Sequence, residues 1–81
     1  MSQRKRVELR TAKEIGRYFM ALRDVSGESL QQVANRAGIG RSQLWKVERG
    51  EHDPQLSTLA KIATAHNLTI RILMPPRSAQ P

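Results

Sequence analysis

No cysteine occurs in the 81 residues. Disulfides and thiolate metal sites are therefore excluded, and a cytoplasmic location is expected. Aromatic residues are almost missing: Trp45, Tyr18 and Phe19 make up 4% of the chain. The core must then be aliphatic, and stacking of single-stranded RNA bases on aromatic platforms is disfavoured. The histidines, His52 and His66, fall on different predicted elements without a partner at ligand spacing, so they read as surface or helix-end residues and no metal or cofactor is expected. No apolar run approaches the ~20 residues of a membrane span, and Arg4-Lys5-Arg6 is not followed by an apolar segment, so no membrane association is expected. No grouping of nucleophile, base and orienting residue appears, which argues against an enzyme. Acid is scarce as well. Seven Asp and Glu face 14 Lys and Arg, a net charge of +7 that points to an anionic partner.

The excess of base is uneven. Up to Arg23 the chain carries Arg4, Lys5, Arg6, Arg10, Lys13, Arg17 and Arg23 against Glu8 and Glu14; from Pro54 onward it has Lys61, Arg71 and Arg77 and no acid. Between these ends lies the most informative stretch, SLQQVANRAGIGRSQLWKVERG, from Ser29 to Gly50. Ser29 with Gln32 forms a capping box. Leu30, Val33, Ala34 and Ala37 follow at helical spacing. Gly38 suits a left-handed helix stop, and Ile39 offers an apolar plug for the corner. A second helix starts after Gly40, buries Leu44 and Val47, and stops at Gly50. Two short helices around so tight a bend form a helix-turn-helix, whose second helix is shaped for the major groove of DNA.

Outside this stretch the pattern divides the chain into a basic N-terminal arm (1–10), a helical DNA-binding domain (11–67), a short strand (68–74) and a tail (75–81). The arm is expected to be loose to about Arg6. Thr11 with Glu14 makes another capping box, and Ile15, Phe19 and Leu22 continue it as an amphipathic helix ending near Asp24 or Val25. A loop through Asp53-Pro54 follows the recognition helix. Leu56, Leu59, Ile62 and Ala63 then repeat at a period near 3.6, and Asn67 is a candidate left-handed stop. From Leu68 the period changes to two: Leu68, Ile70, Ile72 and Met74 share one side of a β-branched run closed by Pro75-Pro76. A lone strand leaves its backbone groups unpaired. Its partner is either Val7-Glu8-Leu9 or, with better pattern, the same strand of a second subunit, paired antiparallel across a two-fold axis. The alternative is a further helical turn or an irregular tail laying its apolar side on the core.

Turning each residue of Arg41 to Arg49 by ~100° sends Leu44 and Val47 inward and Ser42, Trp45, Lys46 and Arg49 outward, with Arg41 at the edge nearest the helix start. Arg41 can grip a guanine with its planar fork or anchor on a phosphate. Ser42 and Lys46 are further candidate base contacts. Trp45 either packs on a sugar or a thymine methyl, or leans on a neighbouring helix as core filler. Ser29, at a helix start, is a candidate phosphate contact through its amide and hydroxyl. Arg49 is another, unless it is a solvated helix end.

These residues resemble the lambda-repressor-like (Xre or Cro-like) helix-turn-helix family in SLQQVA (29–34), Gly38-Ile39, RSQL (41–44), Glu48-Arg49-Gly50, and Pro54 with Leu56 and Leu59. The likeness covers about residues 11–68. It implies a mainly α fold, a bundle of four to five helices with, here, a short C-terminal β-strand. It also implies groove contacts at Arg41, Ser42, Gln43 and Lys46, and a Glu48 that bonds within the fold. The family usually places a phosphate-gripping glutamine where this chain has Leu30; Gln31 lies beside it and becomes the candidate. The run LTIRILM is similar to the dimerising strand of HipB-type antitoxins. That likeness implies a homodimeric repressor of its own operon, bound to an inverted-repeat operator in double-stranded DNA, with a HipA-like kinase toxin as partner. The other reading is a stand-alone or phage-type regulator. In either reading the protein is nucleoid-associated.

Overall fold

The computed structural model describes residues 7–51 and 53–71. The described residues hold four helices: α1 (Ala12–Ser26), α2 (Leu30–Ala37), α3 (Arg41–Arg49) and α4 (Leu56–Ala65). Both expected capping boxes are present. The Thr11 side chain accepts from the Glu14 amide and the Ser29 side chain from the Gln32 amide, while each partner side chain reaches back to the cap backbone. Helix α1 runs slightly beyond its expected end, through Ser26, and leaves Val25 exposed.

Gly38 ends α2 at φ 73°, a left-handed conformation that a side chain would strain, and its neighbour Ile39 donates its amide to the Ala34 carbonyl at 3.0 Å. The chain thereby reverses within Gly38, Ile39 and Gly40, and α3 departs across α2. Asn67 also takes the left-handed conformation expected of it, at φ 60°.

Val33, Leu44 and Ile62 are fully buried, one each from α2, α3 and α4, and Phe19 joins them from α1. Helix α1 packs on α3, and α2 packs on both α3 and α4. The α4 stripe differs from the expected one. Thr58, Ile62, Ala63 and Ala65 are buried, whereas Leu56 is 52% exposed. At ~100° per residue Thr58, Ile62 and Ala65 cluster within one narrow sector, so the helix is turned to put Leu56 at the margin of its buried face.

One contact carries no signature of hydrophobic period. Gly16 of α1 lies against the last turn of α3. A β-carbon there would collide with the Val47 carbonyl oxygen and lie 2.6 Å from that of Glu48. The two backbones touch directly.

The expected C-terminal strand is not shown. Residues 68–71 form no regular element, and Ile72 and Met74 lie outside the described residues. Leu68 packs partly buried against the core and donates its amide to the Ala63 carbonyl, while Ile70 is exposed. No helix is long and apolar enough to cross a membrane among the described residues.

Candidate nucleic-acid interface

Helix α3 is held from behind and bare in front. Leu44, Val47 and Glu48 are buried, while Arg41, Ser42, Gln43, Trp45, Lys46 and Arg49 are exposed. Glu48 is the only acid of the helix, and its carboxylate takes both Nε and Nη2 of Arg23 in a two-pronged ion pair at 2.9 and 3.0 Å. The pair is largely buried, with 17% of the Arg23 side chain and 2% of the Glu48 side chain exposed. Arg23 also donates to the Glu28 carbonyl at 3.1 Å, so one guanidinium joins α1, the α1–α2 loop and α3. With its carboxylate turned inward and neutralised, the outer face of α3 presents Arg41, Lys46 and Arg49 with no negative charge among them.

The Arg49 guanidinium lies 4.6 Å from the centre of the Trp45 ring. This cation–π contact settles Trp45 as a surface residue, 40% exposed, rather than core filler. Arg41, Ser42 and Trp45 meet Leu30, the first residue of α2, around a shallow depression between the starts of the two helices. Gln43 and Lys46 turn the other way. They line a second depression with Pro54, Gln55 and Thr58, where the Gln43 amide donates to the Thr58 hydroxyl at 3.3 Å.

At the start of α2, capping occupies Ser29. Its amide donates to Gln32 Oε1 at 2.8 Å and its Oγ accepts from the Gln32 amide. The hydroxyl hydrogen is what this arrangement leaves for an incoming phosphate. Gln31 is exposed and donates to Asn35 at 2.8 Å.

Behind the site, a second arginine ties α2 to α4. Arg36 donates Nε to the Ala65 carbonyl at 2.9 Å and its two terminal nitrogens to the Glu28 carboxylate. Arg36, together with the Ser26 hydroxyl, draws the Glu28 carboxyl down to about 2. Next to this clasp His66 caps α4 and stacks on Phe19 with ring centres 6.1 Å apart. Its Nε2 is buried without a hydrogen-bond partner among the described residues, and desolvation, aided by the Arg36 charge, lowers its pKa.

Sequence reasoning missed Arg23, Arg36 and Gly16. The two arginines enter the sequence reading only through the net charge, since their partners stand 25 and 8 residues away and leave no local pattern.

A family model described as a helix-turn-helix domain matches residues 14–71. The chain is 39% identical over 61 residues to the HTH-type transcriptional regulator SutR of Escherichia coli (strain K12). That match takes in 74% of this chain but 34% of the regulator, so the chain spans about a third of that relative's length. Among solved structures, the restriction-modification controller protein C.AhdI from Aeromonas hydrophila is similar with a TM-score of 0.66 and 32% identity, over 70% of this chain and 86% of that one. HipB, in its complex with an O4 20mer, shares the fold with a TM-score of 0.73 at 16% identity, over 86% of this chain and 99% of that one. Family model, sequence relatives and helix geometry agree: the chain belongs to the lambda-repressor-like (Xre/Cro) helix-turn-helix family.

Proposed function

We propose that this chain is a sequence-specific DNA-binding transcription regulator that inserts α3 into the major groove. The observation that carries this reading is the charge of α3: three outward cations, with the helix's one carboxylate buried on Arg23. Such a face attracts the phosphate backbone on approach and leaves Arg41, at the helix start, to meet base edges. Ser42, Gln43, Trp45 and Lys46 complete the base-facing set. Arg49, Gln31 and the Ser29 hydroxyl flank it as phosphate contacts.

The regulator works as a homodimer on an inverted repeat, joined through the segment that carries Leu68, Ile70, Ile72 and Met74. Of the two settings for such a dimer, a regulator without a toxin partner is supported by sequence-level likeness to proteins named as a transcriptional regulator, SutR, and a restriction-modification controller, C.AhdI. The antitoxin setting, with a HipA-like kinase toxin as partner, rests on the C-terminal pattern LTIRILM and a likeness to HipB in fold. Selection of bound sequences from a random duplex library tests the DNA reading. A symmetric motif of two half-sites is expected, and failure to enrich any sequence refutes it. Co-purification from the native host separates the two settings, since a kinase-like protein recovered in stoichiometric amount marks the antitoxin.

A further inference from the structure

The depression between the starts of α2 and α3 is not built for phosphate alone. Arg41 and Ser42 supply its polar side, but the rest is the hydrocarbon of Leu30 and the ring of Trp45. Leu30 is partly buried and packs against the core on its other side. Trp45 is braced in another way. The Arg49 guanidinium lies over its ring, while 40% of the residue stays exposed. Two apolar groups thus face the region that base edges enter when α3 lies in the major groove.

In that groove nearly every exposed base atom is a hydrogen-bond donor or acceptor. The exception is the C5-methyl group of thymine. A water-exposed apolar corner beside an arginine gains nothing from a phosphate oxygen or an amino edge. It gains from covering a methyl while the arginine and serine bond to polar atoms next to it. We infer that this depression reads a pyrimidine C5-methyl group, with Leu30 and Trp45 in contact with the methyl and Arg41 and Ser42 on the adjoining polar edge. The inference rests on the DNA-binding reading given above. Thymine is one source of the methyl, and 5-methylcytosine carries the same group at the same place.

The test uses the duplex enriched by selection. Each thymine is replaced in turn by deoxyuridine, which removes the methyl and leaves pairing intact, and Kd is measured by fluorescence anisotropy. At one position in each half-site the loss should be about fourfold, the transfer value of one methyl. Placing 5-methylcytosine there with its guanine partner should bind more tightly than unmodified cytosine, whereas 5-methylcytosine elsewhere should change nothing. In Leu30→Gln and Trp45→Ala the thymine-to-deoxyuridine difference at that position should vanish; Trp45 is a surface residue, so its variant tests the contact without disturbing the core. Sequence-specific binding with deoxyuridine equal to thymine at every position overturns the inference and leaves the DNA reading standing. A methyl effect undiminished in both variants overturns it equally, since the methyl is then read elsewhere. If no duplex is enriched, the DNA reading fails and takes this inference with it.

Discussion

Glu48 sits between Val47 and Arg49 on a helix of surface cations, yet its carboxylate faces the opposite way and is met by both nitrogens of Arg23. Two buried charges stabilise little as a pair, because desolvation offsets their attraction, but removing one strands the other. Arg23→Ala should therefore lower the unfolding free energy by about 3–5 kcal/mol in urea titration. Arg23→Lys, which keeps the charge and loses the fork, should fall between. On the outward side the effects belong to binding. Arg41→Ala should relax preference at one base pair per half-site, at about 1–3 kcal/mol per contact. Arg49→Ala should weaken binding to all sequences and flatten the salt slope. Equal losses of specific and non-specific affinity in Arg41→Ala would make Arg41 a phosphate anchor. Except for Gln43, the outward residues of α3 were legible from helical angle, because Leu44 and Val47 fix which way the helix faces. Arg23 was not, because an ion pair between distant residues leaves no period in the sequence.

At the scale of elements, the best-read features were helix ends. Ser29 with Gln32, Thr11 with Glu14, Gly38 and Asn67 act through their own backbone neighbours, so local sequence decides them. Packing orientation is set by what lies opposite, and there the reading slipped: Leu56 is outside and Thr58 inside. Gly16 went unnoticed for the same reason. Gly16→Ala gains helix propensity, roughly 1 kcal/mol, but forces a methyl into the Val47 and Glu48 carbonyls, which cannot rotate away. Net destabilisation of about 1–3 kcal/mol is expected in denaturant unfolding. The clasp between α2 and α4 makes stability depend on pH. His66 is lowered from its ordinary 6.5, so the unfolded chain takes up that proton first and stability falls as pH drops below about 6.5. Glu28, held at about 2 against an ordinary 4.5, keeps its contribution above about 4.5 and loses it as pH falls toward 2. Thermal melts should show both limbs. His66→Leu should flatten the first and Glu28→Gln the second.

For the whole molecule the decisive question is symmetry. Two recognition helices related by a two-fold axis meet half-sites of opposite orientation, with centres about 34–36 Å apart or a multiple of that. Inserting about five base pairs between half-sites rotates one of them by half a turn and should abolish cooperative binding in a mobility-shift assay. Binding that survives the insertion, or that prefers a direct repeat, refutes the symmetric dimer. Deleting residues 68–81 should leave mostly monomer in sedimentation, while a shortened chain that remains dimeric removes the proposed dimer segment. The alternating pattern of 68–74 was plain in the sequence. A strand whose partner lies in another copy has no ladder to complete in one chain, so period alone could not decide it.

The direct contact between the α1 and α3 backbones has a consequence for how the molecule can change over evolutionary time. Gly16 meets main-chain carbonyls, which are the same whatever side chains α3 carries. The side chains that α3 buries in docking are Leu44, Val47 and Glu48, while positions 41, 42, 45, 46 and 49 lie exposed, outside that buried set. Scaffold and reading head are separable, much as a holder accepts interchangeable tips. If α3 reads DNA as proposed, a lineage built on this chain can acquire a new target sequence through those five positions without first rebuilding the bundle that presents them.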